Sequence, residues 1–84
     1  MQIAEQFVTN VIKLYPNPVI DFVTVSSTET MTKIEVVNML GQMVYTTAVN
    51  DTEINLDMTR YATGTYMVRV SADDKIKIFK VIKK

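Results

Sequence analysis

Lys75-Ile-Lys-Ile-Phe-Lys-Val-Ile-Lys-Lys84 interleaves lysines with β-branched and aromatic residues, a composition and rhythm that belong to a strand. Phe79 and Val81 point to one side of it, Ile76, Ile78 and Ile82 to the other. A strand that merely closed a small sandwich needs one apolar face, with polar side chains toward water. The second apolar face predicts a cover for Ile76, Ile78 and Ile82: a partner, the N-terminal segment or a second chain. Lysine on an edge strand blocks unwanted pairing between sheets. That accounts for Lys75, Lys77, Lys80, Lys83 and Lys84, but not for the isoleucines.

Working back from this strand, Asp73-Asp74 is a tight turn and Thr65–Ala72 the most regular strand, with Tyr66, Val68 and Val70 inward and Thr65, Met67 and Arg69 outward. Residues 57–64 are too polar and irregular for a strand. They read as a loop with one helical turn, Tyr61 plugging the core and Gly64 releasing the chain. Thr52–Leu56 is a short strand with Ile54 and Leu56 on one face, and Asn50-Asp51 is the turn before it. Lys33–Met39 and Gln42–Val49 form a hairpin, Ile34 and Val36 facing Val44 and Thr46 inward. Its turn is Asn38-Met-Leu-Gly-Gln42, because Gly41 accepts a positive φ and Asn38 can bond nearby backbone. Ser26–Thr30 is a polar loop, and Val19–Ser26 a strand with Val19, Val23 and Val25 on one face. Leu14-Tyr-Pro-Asn-Pro18 is a rigid corner, since two prolines fix φ and press Tyr15 and Asn17 into extended backbone. Residues 1–13 read as a linker running into a strand, although Ile3, Phe7 and Val11 also recur at helical spacing. About six or seven short strands, with turn signals roughly every eight to twelve residues, predict an all-β antiparallel sandwich.

Composition narrows what such a domain can do. A chain of 84 residues forms one domain, burying roughly 60–65% of its unfolded surface. It has no cysteine, so disulfides and thiolate metal sites are excluded, and no histidine, so the commonest nucleophile–base pairs cannot be built. A formal net charge of zero argues against nucleic-acid or anionic-membrane partners. No apolar run reaches transmembrane length, and Met1-Gln-Ile-Ala-Glu-Gln lacks the basic-then-apolar pattern of a signal peptide. The chain is therefore expected to be cytoplasmic or a fragment of something longer. Asp51, Glu53, Asp57, Asp73 and Asp74 lack the offsets of a calcium loop and read as turn formers. Asn50-Asp51-Thr52 matches a glycosylation sequon, a short motif that also arises by chance. Tyr15, Phe22, Tyr45 and Tyr61 would be a carbohydrate-stacking platform if they shared a surface, but aromatics in a small β-protein are more often core or cross-strand pairs. The six methionines read as gap fillers. No cofactor is expected.

Four landmarks then fall in order: Leu14-Tyr-Pro-Asn-Pro18, Asn38-Met-Leu-Gly-Gln42 at the hairpin, Gly64-Thr-Tyr66 opening a strand, and the lysine-rich end. Together they resemble the C-terminal sorting domain of type IX (Por) secretion cargo from Gram-negative bacteria. The resemblance covers residues 14–84 and departs at Tyr61, where the family more often has leucine; residues 1–13 correspond to a linker or extra segment joining the cargo. It implies a non-catalytic, immunoglobulin-like sandwich of seven strands that acts as an address. The exported cargo, N-terminal to the domain, would pass through the periplasm and then the outer-membrane translocon to the cell surface or beyond. A sortase-like peptidase usually removes the domain and links the cargo to anionic lipopolysaccharide. Recognition is expected at Gly64, Tyr66, Ile76, Ile78, Lys80, Val81, Ile82, Lys83 and Lys84. Leu14, Tyr15, Pro16, Asn17, Pro18, Asn38, Gly41 and Gln42 are expected to be structural. The rival is an immunoglobulin-like carbohydrate- or protein-binding module of an extracellular enzyme. An apolar N-terminal segment and an exposed edge also allow a dimer by strand exchange or edge pairing.

Overall fold

The computed structural model describes residues 12–73 and 75–84, which form one curled antiparallel sheet of five strands and no helix. In chain order these are β1 (Ile12–Tyr15), β2 (Phe22–Asn38), β3 (Met43–Asp57), β4 (Gly64–Ala72) and β5 (Lys75–Lys83). The 17-residue β2 is the spine. β3 follows one of its edges from Phe22↔Asp57 to Val37↔Met43. On the other edge β1 takes the first half, from Tyr15↔Thr24 to Ile12↔Ser27, and β4 the second, from Lys33↔Ser71 to Asn38↔Tyr66. β5 pairs in unbroken register with β4, from Gly64↔Lys83 to Ala72↔Lys75.

Among the described residues there are five strands where the sequence predicts six or seven over the whole chain, and two expected breaks lie inside strands. The Ser26–Thr30 loop and the Asn50-Asp51 turn fall within the β2–β3 ladder, where the register slips between Ser26 and Met31 and again between Met31 and Lys33. Polar and turn-forming residues there mark bulges rather than strand ends. The slips also swap the inward face of β2. Val23, Val25 and Met31 are fully buried at odd positions, Ile34 and Val36 at even ones. A third slip, between Val36 and Val37, sets Tyr45 opposite Val36 and Thr47 opposite Ile34. The expected inward pair Val44 and Thr46 is thereby corrected: both are exposed, and Thr46 lies opposite Glu35 on the outer face. Residues 1–11, which include most of the expected linker and the segment invoked for strand exchange, lie outside the described residues, as does Asp74 of the β4–β5 turn.

The inner face carries a single apolar cluster, built row by row across the strands. Leu14–Val25–Ile54 and Val23–Leu56 are rows at one end, Val36–Val68–Phe79 and Tyr66–Val81 at the other. Met58 from the β3–β4 loop and Val19 from the proline corner fill it between strands, both fully buried. The Met58 amide donates to the Asp21 carbonyl at 2.8 Å, tying loop to corner. In place of the expected helical turn there is a single tight turn, closed by one hydrogen bond from the Tyr61 amide to the Met58 carbonyl at 3.1 Å. Asp57 starts it by accepting from the hydroxyl and amide of Thr59, which hold its carboxyl below the usual carboxylate range.

Met31 sits fully buried where β2 changes faces, so Met31→Ala should cost about 3 kcal/mol in urea unfolding. Met39→Ala, at a position 66% exposed on the hairpin tip, should cost less than about 0.5 kcal/mol. Equal losses at the two positions would contradict the placement of the core.

Candidate functional site

Alternation on β5 separates an anchor from a presented face. Phe79 packs against the core and Val81 is fully buried, while Ile76, Ile78 and Ile82 are 61%, 56% and 42% exposed on the opposite side. They extend across rows with β4 neighbours: Ile78 beside Arg69, Lys80 beside Met67, Ile82 beside Thr65. Behind Ile78, Arg69 and Lys33 reach Glu35 at 3.4 and 3.6 Å, so the buried Glu35 carboxylate is neutralised by its neighbours on the strand surface. None of the five β5-end lysines forms an ion pair among the described residues. Lys77 lies 5.3 Å over the Phe79 ring, and Lys83, largely buried, donates from Nζ to the Lys84 carbonyl at 3.0 Å.

The proline corner reaches this strand directly. The Asn17 side chain donates from Nδ2 to the Lys80 carbonyl at 2.9 Å and accepts the Ile82 amide on Oδ1 at 3.1 Å. The Val19 amide donates to the Ile82 carbonyl, and the Lys84 amide donates back to the Val19 carbonyl, both at 2.8 Å. The Tyr15-Pro16 and Asn17-Pro18 peptide bonds on either side of Asn17 are cis. Asn17, in the corner expected to be structural, thus bonds the far end of the chain rather than its own turn.

The other motif residues explain themselves locally. Asn38 Oδ1 accepts the amides of Leu40 and Gln42, both at 3.0 Å, and Asn38 Nδ2 donates to Gln42 Oε1 at 3.0 Å. Gly41 has φ 83°, a conformation side chains disfavour. Asparagine, glycine and glutamine therefore form one hydrogen-bonded hairpin end. Tyr66 is buried, its ring 5.7 Å from that of Tyr61, and its hydroxyl donates to the Ala62 carbonyl four residues upstream at 2.7 Å. Burial raises the Tyr61 hydroxyl pKa. Gly64, opposite Lys83, opens β4 with φ 158°.

Among the residues expected to carry recognition, Ile76, Ile78, Lys80 and Ile82 on β5 and Lys84 just beyond it are exposed. Tyr66, Val81 and Lys83 face the interior, and Gly64 is half-buried. The clamp made by Asn17 escaped sequence reasoning because its two partners lie 63 and 65 residues away. The only local signal was an amide side chain between two residues that lack amide hydrogens.

The family model for the secretion system C-terminal sorting domain matches residues 13–84. The chain belongs to this family. The sorting domain is 35% identical over 63 residues to ulvan lyase NLR42 of Nonlabens ulvanivorans, covering 73% of the chain and 12% of that protein. Its fold matches part of PorZ, a surface component of the type IX secretion system of Porphyromonas gingivalis, with a TM-score of 0.73 and 24% identity over 87% of the chain and 11% of PorZ. The domain thus spans about an eighth of the lyase and a ninth of PorZ. It is an all-β sorting signal of type IX secretion, which directs export toward the cell surface or extracellular space.

Tyr66→Phe removes one buried hydroxyl bond and leaves the Ala62 carbonyl without that donor, so it should lower unfolding free energy by about 1 kcal/mol. Unchanged stability would mean that the hydroxyl does not pin the β3–β4 loop.

Proposed function

We propose that this sorting domain is read as a folded strand surface, with the outer face of β5 as the part the secretion machinery touches. Three isoleucines exposed on an otherwise well-anchored strand carry the proposal. Covering each by a partner would contribute about 1 kcal/mol, enough together for a transient docking step. The lysines around them add charge that favours an acidic partner surface and fast encounter. The domain serves as an address, and a cargo N-terminal to it does the chemistry. The cargo would pass through the periplasm to the outer-membrane translocon. A sortase-like peptidase would then remove the domain as the cargo is joined to anionic lipopolysaccharide. The linker to that cargo, expected over residues 1–13, would end before β1, because Ile12 and Lys13 already pair with β2 and Ile12 lies in the core. Gly64, Tyr66, Val81 and Lys83 would support recognition by holding β4 and β5 in place.

An immunoglobulin-like sandwich, formed by the two halves of the curled sheet, is part of the same proposal. The Tyr66 hydroxyl bonded to a carbonyl four residues upstream supports it, since a tyrosine corner of this kind pins such sandwiches. The carbohydrate-binding alternative is disfavoured by the aromatics. Tyr15 pairs with Thr24 on the outer face, while Tyr45 lies opposite Val36 on the inner one. Tyr45 and Tyr61 line a recess of about 140 Å³ with Arg60 and Asp57, too small for a sugar ring and its neighbours.

Deleting Lys75–Lys84 would also remove Val81 from the core, so surface substitutions are the cleaner test. A reporter with an N-terminal signal peptide and this domain at its C-terminus should be exported to the medium. Ile76→Ser with Ile78→Ser should leave its thermal midpoint within a few degrees of the unsubstituted fusion and strand the reporter in the periplasm. Export at the unsubstituted level would refute a role for this face.

A further inference from the structure

We infer that Asn17 is a positioning residue for sorting, whose side chain completes the edge of the terminal strand where two prolines cannot. A strand directs the amide and carbonyl of alternate residues to the same edge. On β5 the Lys80 carbonyl, both backbone groups of Ile82 and the Lys84 amide bond to Asn17 and Val19, so even-numbered residues face away from β4. A regular strand laid along that edge would need backbone donors from residues 16–19. Pro16 and Pro18 supply none, and Val19 supplies one. The Asn17 carboxamide offers the same carbonyl and N–H pair as a peptide unit, and it spans Lys80 and Ile82 at hydrogen-bond distance. Aspartate keeps only the acceptor, and alanine neither group.

The edge of β5 is therefore divided. From the Lys80 carbonyl to Lys84 it is closed by the corner, and the exposed Ile82 is held in fixed register. At Ile76 and Ile78 the outward amides and carbonyls meet no partner among the described residues. A partner that adds as a strand is confined to that open half, and Lys75, Lys77 and Lys80 around it suit acidic side chains. A second copy of β5 would set lysine against lysine there. The corner also covers the terminal half with residues that cannot template further pairing, a protection that prolines give to sheet edges. Because Asn17 lies 63 residues before Lys80, the recognition strand is complete only after the domain has closed end to end. Sorting would then be limited to folded domains. This inference rests on the sorting function and specifies which contact prepares the signal.

The test compares unsubstituted, Asn17→Ala, Asn17→Asp and Ile34→Val domains, each behind the same exported reporter and each also as the isolated 84-residue chain. Ile34→Val trims the core on β2, where Ile34 lies opposite Thr47 and Val70 rather than in the β5 or corner backbone pairing, and so controls for lost stability. In Asn17→Ala the Ile82 amide should exchange roughly tenfold faster, the loss of about one net hydrogen bond, and export should fall several-fold. Asn17→Asp should keep the Ile82 amide protected and export better than the alanine variant. Ile34→Val should export as the unsubstituted domain does, even with an equal drop in thermal midpoint. Equal export by Asn17→Ala and the unsubstituted domain overturns the inference and leaves the sorting function standing. So does a loss of export that Ile34→Val reproduces at matched stability. Failure of the unsubstituted fusion to be exported overturns both.

Discussion

The terminal strand depends on a contact between the two ends of the described chain. Asn17 and Val19 make four hydrogen bonds to residues 80–84, each worth about 1 kcal/mol net. That sum rivals the burial of Val81, since fully burying a valine contributes about 1.5–3 kcal/mol. β5 is therefore held by its β4 ladder, by its inner side chains and by the corner. Without the corner, the last five residues would hang from one edge of a small sheet, and Ile82 would lose its fixed orientation. That placement decides which half of the edge is closed, while alternation along β5 decides which isoleucines are exposed.

A sorting signal must be stable enough to be recognised as a shape and must still present apolar surface to a partner. Those demands conflict on a strand with a single face, because residues that bind the core are unavailable to the partner. β5 resolves the conflict by alternation, with Phe79 and Val81 committed to the core and Ile76, Ile78 and Ile82 left to water. Exposed isoleucine on a sheet edge is an aggregation hazard. The lysines and the corner oppose it, one by charge and the other by occupying backbone groups. The same lysines favour an acidic partner, so protection and recognition draw on the same residues.

Much of this was legible in the sequence. Both faces of β5, the inward set Tyr66, Val68 and Val70, the hairpin turn at Asn38–Gln42 and Tyr61 packed against the core all follow from alternation and turn chemistry, which are local. The strand count did not follow, because Ser26–Thr30 and Asn50-Asp51 carry the composition of loops while serving as bulges in one long ladder. Composition reports that regular pairing is interrupted, not whether it resumes in the same strand. The inward pair Val44 and Thr46 failed for a related reason: one bulge beside Val36 moves every later residue of β3 to the other face. Asn17 was legible as part of a rigid corner. Its role as a backbone surrogate was not, since it depends on a pairing 63 residues away that no local pattern encodes.

Amide hydrogen exchange on the unsubstituted domain, resolved residue by residue along β5, tests the half-closed edge most directly. The account predicts that Ile82 and Lys84 exchange slowly, together with the inward-bonded amides facing β4, while Ile76 and Ile78 exchange at least about tenfold faster. Slow exchange at Ile76 and Ile78, equal to that at Ile82, would contradict it, because the open half of the edge would then already be occupied.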